Sequence, residues 1–534
     1  MRLTRCGSAP AIGGACVSLV VIAALGASGA AAQEDRPVAA EPQSADAATA
    51  APSKRPNLSR AEAMVVLDYQ VIPVPQAKPI DLMGFHVLTR LNDWMYLGVG
   101  GFAPLFDGDY GGFMAFDVVA HAQRKIWRNL FANAGLSMGG GGGGSSPAQS
   151  KVLSGTGGFA KGYVGLGYDF SDFSLGANVA RMKFNQGAID NTQLNVFVQV
   201  PFSTSIGSYA SSGDRLTADE AQAFSGEPSE TTLTLGLDNL VQIEPEGRNK
   251  ATIRLADLQF AHYMTSSTYW YASLGVGYQG LPLYNQIIGG LGYRFMVSPR
   301  LHLHGQLGLG SGGWSPDRID TGSGLLVYPK VAAAYMITGN LSLSLSAGYL
   351  FAPNGSSKNN AFGAALNYHL RQGREGSDAR DGSDVMSYRG YRFTLFQQTD
   401  FNVSYLDVDR PKINMVAMQF DSIVNDHVYI PIKAAVAYNA YLGYPGSGEI
   451  LAGVGVQSAY DKDTRFQFFG QLLAGANVHG PVLAPGIGIN YGLSDRLAIH
   501  VSLGKTFPLS SNDGKFRSDY IGLGVTYRFS VPSW

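Results

Sequence analysis

One strand–turn–strand sequence motif recurs along this chain, and the recurrence constrains its fold more than any other feature. Residues 335–346 read Tyr-Met-Ile-Thr-Gly-Asn and then Leu-Ser-Leu-Ser-Leu-Ser, and residues 491–502 read Tyr-Gly-Leu-Ser-Asp-Arg and then Leu-Ala-Ile-His-Val-Ser. Residues 168–179 are a version with a shorter turn. Self-similarity at a long period indicates a chain built from equivalent structural units. We place these units at 61–202, 231–370 and 389–534, with polar connectors at 203–230 and 371–388.

The middle unit predicts about eight β-strands, because apolar and polar residues alternate at period two in successive segments. Each segment is long enough to cross a bilayer at a tilt, and short turns alternate with longer loops, as in membrane β-barrels. The fold class is therefore all-β, with antiparallel transmembrane strands. The predicted strands lie near 231–243, 249–263, 268–281, 284–297, 300–312, 324–337, 340–352 and 359–370.

The same alternation predicts which side chains point into a lumen. Leu303 and Leu307 lie on one face of their strand, so the polar residues between them lie on the other. A charge on the lipid face is costly, which also assigns the charged residues to the lumen. The candidates for setting the selectivity of a pore are Arg294, His302, His304, Gln306, Lys330 and His500.

The last strand pattern, residues 518–529, places small and polar residues opposite an unbroken apolar face that ends in aromatics. This pattern predicts a strand between lipid and a lumen, with Val525 and Tyr527 on the lipid face. It resembles the closing strand of bacterial outer-membrane β-barrels. The resemblance implies that the barrel-assembly machinery reads a terminal aromatic, for which Tyr527, Phe529 and Trp534 are the candidates. The family pattern ends on the aromatic itself, whereas five residues follow Phe529 here.

The connectors bear on how many barrels form. Neighbouring strands of one sheet need only a tight turn, and these connectors are much longer. We therefore favour three small barrels of about eight strands over one barrel of about 24 strands. In the first connector, Thr217 and Glu220 have the spacing of a capping box, which predicts a short helix there.

The N-terminus predicts export. Arg2 and Arg5 precede an apolar stretch, and Ala32 ends a site typical of signal-peptide cleavage. Residues 1–32 are therefore the predicted signal peptide and 33–60 a disordered periplasmic lead. Cys6 and Cys16 both lie within the leader, so the mature chain needs no disulfide. The predicted location is the bacterial outer membrane, with its lipid as a partner.

Composition excludes other classes. A formal net charge of -1 argues against a nucleic-acid partner. The lack of a long apolar run after the leader excludes a helical membrane protein. No pattern predicts a cofactor.

Enzyme and metal motifs are weak. His500 and Ser502 share a strand face and resemble the His-x-Ser core of lipid A deacylase barrels, but Leu503 and Gly504 replace the Asn-Ala of that family. No catalytic residue is therefore assigned. His302 and His304 also share a face, yet no third ligand follows at useful spacing, so we predict no metal site. The six glycines at 139–144 are interpreted as a flexible external loop.

We predict an outer-membrane channel or a component of transport or export, of unknown solute, and not an enzyme. The alternative is a non-catalytic structural or interaction protein that presents its loops and periplasmic linkers to partners. A lipid-modifying membrane enzyme is the remote third reading.

Overall fold

Strands whose side chains alternate between two faces form three antiparallel sheets, and each sheet closes on itself as a barrel. The computed structural model describes residues 58–143, 152–153, 155–185, 187–217, 220, 229–245, 251–280, 284–313, 319–372, 387–438, 447–460, 465–509 and 515–533. The predicted leader, most of the lead, most of the second connector (residues 373–386) and Trp534 lie outside these residues.

The first barrel consists of β1 (Ser59–Ile72), β2 (Ile80–Arg90), β3 (Met95–Ala103), β4 (Met114–Trp127), β5 (Leu130–Gly143), β6 (Gly155–Asp169), β7 (Ser174–Phe184) and β8 (Asp190–Ile206). A 3-10 helix, Tyr209–Ser211, follows it. The second barrel consists of β9 (Ser229–Gln242), β10 (Thr252–Tyr263), β11 (Thr268–Gln279), β12 (Asn285–Met296), β13 (Leu301–Gly313), β14 (Leu325–Thr338), β15 (Leu341–Phe351) and β16 (Lys358–Gln372). The third consists of β17 (Ser387–Tyr405), β19 (Ile413–Ile423), β20 (Val428–Ala437), β21 (Gly448–Gln457), β22 (Phe466–Asn477), β23 (Gly480–Gly492), β24 (Leu497–Pro508) and β25 (Arg517–Ser533), with the short β18 (Val408–Asp409) beside the end of β17.

Each barrel closes by pairing its first strand with its last. Val65 of β1 lies opposite Val200 of β8, and Leu235 of β9 lies opposite Leu366 of β16. In the third barrel, β17 pairs with β25 along most of its length. The prediction of three small barrels is therefore confirmed over one barrel of about 24 strands.

The predicted faces of the second barrel are observed. Leu303 and Leu307 are exposed on the outside, whereas His302 and Arg294 are 3% exposed inside. Barrel geometry explains this, since inward and outward residues alternate along every strand.

All three barrels have the same orientation. Each starts and ends at the side where the tight turns lie, such as 297–300, which we call the short-turn end. The opposite side, the long-loop end, carries most of the longer connections; the two-residue connection 478–479 is an exception. Within the described residues, no helix is long and apolar enough to cross a membrane.

The barrels pack against one another through apolar outward residues. Val118 of the first barrel meets Leu497 and Val525 of the third. The Trp270 ring of the second barrel lies 6.0 Å from that of Phe85 in the first. A separate cluster joins the second and third barrels: Ala256, Val276, Ala434, Ile450, Ala476 and Val478. Where all three meet near the long-loop end, the cavity is only about 30 Å³.

This packing corrects the interpretation of the closing strand. Ile521 and Leu523 are exposed, as a lipid face requires, but Val525 is 5% exposed and Tyr527 packs in the same cluster with the first barrel. Phe529 is only partly exposed and contacts the Tyr391 ring at 5.8 Å. The outward face of β25 is therefore exposed at Ile521 and Leu523 and is covered by the first barrel at Val525 and Tyr527.

The glycine run is also corrected. Residues 139–143 are not a loop but the end of β5. A side chain on Gly140 would overlap with Tyr438 of the third barrel, and one on Gly139 would overlap with the backbone of β4. Glycine is used here for close approach between strands and between barrels.

The capping box of the first connector is present. Thr217 N donates to Glu220 Oε2 at 2.9 Å, and Glu220 N donates to Thr217 Oγ1 at 3.3 Å. Residues 221–228 of this connector lie outside the described part of the chain.

Candidate functional site: the three barrel lumens

The first lumen is crossed by buried charges. Lys161 Nζ lies 2.6 Å from Asp68 Oδ2, and Asn195 Nδ2 donates to the same oxygen at 2.9 Å. His86 Nε2 lies 3.0 Å from Asp117 Oδ1. These groups line a cavity of about 30 Å³, which has room for one or two water molecules. The small radius of an eight-stranded barrel explains why side chains fill the lumen.

The second lumen is sealed at its short-turn end by one carboxylate that contacts both an arginine and a histidine. Glu230 Oε2 lies 2.7 Å from Arg294 Nη1, and Glu230 Oε1 lies 2.7 Å from His369 Nδ1. Arg294 Nη2 also donates to the carbonyl oxygen of Ser266 at 2.6 Å, in the turn between β10 and β11. The guanidinium therefore ties the lumen to the turn that borders its mouth.

The other predicted lumen residues of this barrel also point inward. Tyr269 OH lies 3.2 Å from His304 Nδ1 and accepts from Gln306 Nε2 at 3.1 Å. His302 is buried, and Lys330 Nζ lies 5.3 Å from the centre of the Tyr328 ring. These contacts hold the side chains against the lumen wall. Among the described residues, no three His, Cys, Asp or Glu side chains converge as they would around a metal ion.

The third lumen contains two buried ion pairs. Arg392 Nε lies 2.9 Å from Asp421 Oδ2, and Arg392 Nη1 donates to Gln467 Oε1 at 3.1 Å near the short-turn end. Lys433 Nζ lies 2.7 Å from Glu449 Oε1, nearer to the long-loop end. Buried charges need such partners, because an unpaired one pays the full cost of leaving water.

His500 is part of this third lumen, and its side chain lies on the inward face. Its Nδ1 lies 2.9 Å from Asn490 Oδ1, and its ring stacks on Phe469 at 5.3 Å. Ser502 shares the inward face and is 2% exposed. A lipid-directed nucleophile would have to open to the outside of the barrel, whereas both side chains face the lumen.

Apolar clusters close the long-loop ends of the lumens. Each cluster combines inward residues near the strand ends with side chains from the adjoining loops. In the first barrel it includes Ile72, Leu82, Phe102, Phe113, Phe159 and Phe184. In the second it includes Leu240, Ile253, Tyr284, Ile288, Leu326 and Leu350, and in the third Val403, Ile413, Met415, Ala437 and Phe516.

Sequence reasoning missed most partners of the predicted residues. Glu230 falls at the last position of the predicted first connector, and Asp68, Asp421 and Lys433 lie in strands whose faces had not been assigned. The sequence feature that would identify them is a charged residue at every-second-position spacing from the inward polar residues of the same strand. It also missed that residues 207–215, in the first connector, lie across the short-turn end of the third barrel.

No protein-family profile matches the chain, and no curated protein matches it. Among solved structures, it is similar to a mutant form of the ferric enterobactin receptor PfeA of Pseudomonas aeruginosa, at 8% identity over 88% of this chain and 80% of that chain, with a TM-score of 0.26. The siderophore receptor PirA of Acinetobacter baumannii gives 9% identity over 88% and 80%, with a TM-score of 0.25. A KdgM porin gives 9% over 55% and 98%, with a TM-score of 0.16. Such low scores carry no argument about function.

The class of protein follows from the chain's own geometry. Closed antiparallel barrels, apolar outer faces and tight turns gathered at one end define the architecture of an outer-membrane β-barrel protein.

Proposed function

We propose that this protein is a non-conducting three-barrel scaffold of the bacterial outer membrane. It presents its long loops to the outside and its connectors to the periplasm. The observation that carries the proposal is the filling of every lumen by buried ion pairs, with an apolar cluster above them.

The membrane location is supported by the outer faces. Leu345, Val331 and Ile487 are each more than 60% exposed on membrane-length strands. Exposed apolar side chains at this density are unfavourable in water and suit a hydrocarbon environment. The predicted leader supplies the route of export.

The interaction role is supported by the loops. The first two barrels are joined at the long-loop end, where Leu325 N donates to the carbonyl oxygen of Leu105 at 3.2 Å and Gly111 N donates to that of Gly322 at 2.9 Å. Together with the apolar contacts between barrels, these bonds favour a rigid platform over three independent units. The partners bound by such a platform are proteins or surface components that contact the loops.

A channel or transport role is the second candidate function. It is favoured by the polar middle of each lumen, since Lys433, Asp400 and Glu449 lie in one interior and such residues can set the selectivity of a pore. Re-pairing of such charges would be the means of opening.

Single-channel conductance of the purified full-length protein in a planar bilayer tests the proposal. The scaffold predicts no steady conductance step, while a porin inserted under the same conditions gives its usual steps. A large and steady step from this protein would contradict the scaffold and establish the channel.

A further inference from the structure

Part of the first connector lies across the short-turn end of the third barrel. Residues 207–215, which we call the strap, leave β8 and run beneath β25 and β17. Gly207 N donates to the carbonyl oxygen of Ser530 at 2.8 Å, and Ser530 N donates back to Gly207 at 3.2 Å. Ser530 Oγ donates to the carbonyl oxygen of Ser208 at 2.7 Å.

The far end of the strap is attached to the other closing strand. Gly213 N donates to the carbonyl oxygen of Tyr388 at 2.7 Å, and Tyr388 N donates to that of Asp214 at 2.9 Å. Arg215 then pairs with Ser387 in an isolated antiparallel bridge. The strap is therefore held at both ends by the two strands that close the third barrel.

Between these attachments the strap turns one side chain into the lumen. Ser208 caps the 3-10 helix, with its Oγ accepting from Ala210 N at 3.2 Å and donating to Asp495 Oδ2 at 2.6 Å. Tyr209 is 3% exposed and packs against three inward residues, Ile423, Tyr429 and Phe469.

Arg528 forms the other side of the Tyr209 site. Its guanidinium carbon lies 5.6 Å from the Tyr209 ring and 4.6 Å from that of Tyr460, in the turn between β21 and β22. The two tyrosine rings are 5.3 Å apart and nearly perpendicular. A cation against two aromatic rings is favourable when water is excluded.

The other two barrels close this end with their own strands and turns. In the first, Met64, Leu88 and Val119 fill the lumen there, and in the second, Glu230 and Arg294 do so. We propose that the strap is a removable plug. Withdrawal of Tyr209 opens the inner end of the third lumen to the periplasm and leaves the other two closed.

The attachment of the strap explains why it is removable. It is held by the hydrogen bonds of its two ends to β25 and β17, by the Ser208–Asp495 bond and by the Tyr209 ring, whereas the barrel wall is held by continuous ladders. Segments with few contacts open locally at much lower free energy than the whole fold. The strap can therefore leave while the third barrel stays closed as a sheet.

Thiol labelling of the full-length, detergent-purified protein tests this. In a Cys6→Ser, Cys16→Ser background, Ile423→Cys places a reporter behind Tyr209, and Leu88→Cys places a matched reporter at the same end of the first barrel. With Tyr209 intact, a bulky hydrophilic maleimide labels both thiols slowly. Adding Tyr209→Ala is expected to speed labelling at position 423 by about tenfold or more and to leave position 88 unchanged.

The proposal is overturned if Tyr209→Ala leaves the rate at position 423 unchanged, or if it speeds both positions equally. Tyr209→Phe, which keeps the ring, is expected to label like the parent. Where Tyr209→Ala fails to fold, Ser530→Ala is the second variant, because it removes only the hydrogen bond to Ser208. It is expected to speed labelling at position 423 a few-fold, and an unchanged rate there overturns the proposal too.

Discussion

The second and third barrels have the same number of barrel-forming strands and the same orientation, yet different parts of the chain close their short-turn ends. Glu230 and Arg294 seal the second barrel from within its own strands and turns. The third depends on Tyr209, which follows the last strand of the first barrel. A repeated strand pattern therefore builds equivalent barrel walls, whereas individual side chains, from the barrel's own strands or from a connector, decide how these two short-turn ends are closed.

We expect the largest loss of stability from a mutation that breaks the seal of the second barrel. Glu230→Ala leaves Arg294 and His369 buried without their shared carboxylate, and breaking a buried ion pair typically costs about 3–5 kcal/mol. We expect a lower urea midpoint, with hydrogen exchange rising in β9, β12 and β16. Asp190→Ala is the control, because its partners Arg181 and Lys183 are exposed and solvent screens such surface pairs. Equal losses from the two variants would contradict the buried network.

The second prediction concerns the residue that closes the short-turn end of the third barrel. Tyr209→Ala removes a buried aromatic ring, which typically costs about 3–5 kcal/mol in a core and less where the site collapses. We expect hydrogen exchange to rise in β19, β20 and β22 but not in the second barrel. A rise confined to the first barrel, to which the strap is covalently joined, would show that the ring is not part of the third barrel.

A third prediction tests the outer face of the second barrel. Leu307→Arg places a charge at the middle of β13 on the lipid side, which costs about 2–4 kcal/mol at mid-depth. Val297→Arg, exposed in a turn beyond the strands, is expected to cost about 0–1 kcal/mol. Urea unfolding in lipid vesicles measures both. Equal costs would contradict the assignment of this face to lipid.

The smallest effect concerns the long-loop end of the third barrel, where His479 lies between Tyr405 and Phe516 in the connection after β22. Burial lowers the pKa of His479 to about 4, and the charge of Arg410 adds to this. The unfolded chain, with a pKa near about 6.5, binds more protons between these values. His479 therefore does not lower the free energy of unfolding above pH about 6.5. As the pH drops to about 4, that free energy falls by roughly 3 kcal/mol at most. His479→Gln is expected to remove that part of the pH dependence of the urea midpoint.

The barrel walls were predictable from sequence because period-two alternation separates inside from outside. Strand β12 runs Asn285–Met296, against a prediction of 284–297, and Arg294 points inward as predicted. The alternation does not say what covers an outside face, since lipid and a neighbouring barrel both accept apolar residues. The alternation therefore assigns Val525 and Tyr527 to lipid. A run of glycines has no side chains to alternate, so the sequence predicts a loop where the structure has the end of β5.

The partners inside the lumens were less predictable. Neighbouring strands bring together residues far apart in sequence, such as Glu230 and His369, only once register and barrel closure are known. The strap was beyond sequence reasoning for the same reason. Nothing in residues 207–215 indicates which of three similar barrels they contact.

Disulfide cross-linking across a closing seam tests the central claim, that each unit closes as its own barrel, most directly. Leu237 of β9 and Ala364 of β16 lie opposite each other on the outer surface, and paired residues of antiparallel strands are close enough for a disulfide. In the Cys6→Ser, Cys16→Ser background, Leu237→Cys with Ala364→Cys is expected to form an intrachain disulfide in the folded protein, detected by mass spectrometry. In a barrel of 24 strands, β9 would pair with β8 and β16 with β17. Failure of these two thiols to join under oxidising conditions, in protein that is otherwise folded, would contradict three separate barrels.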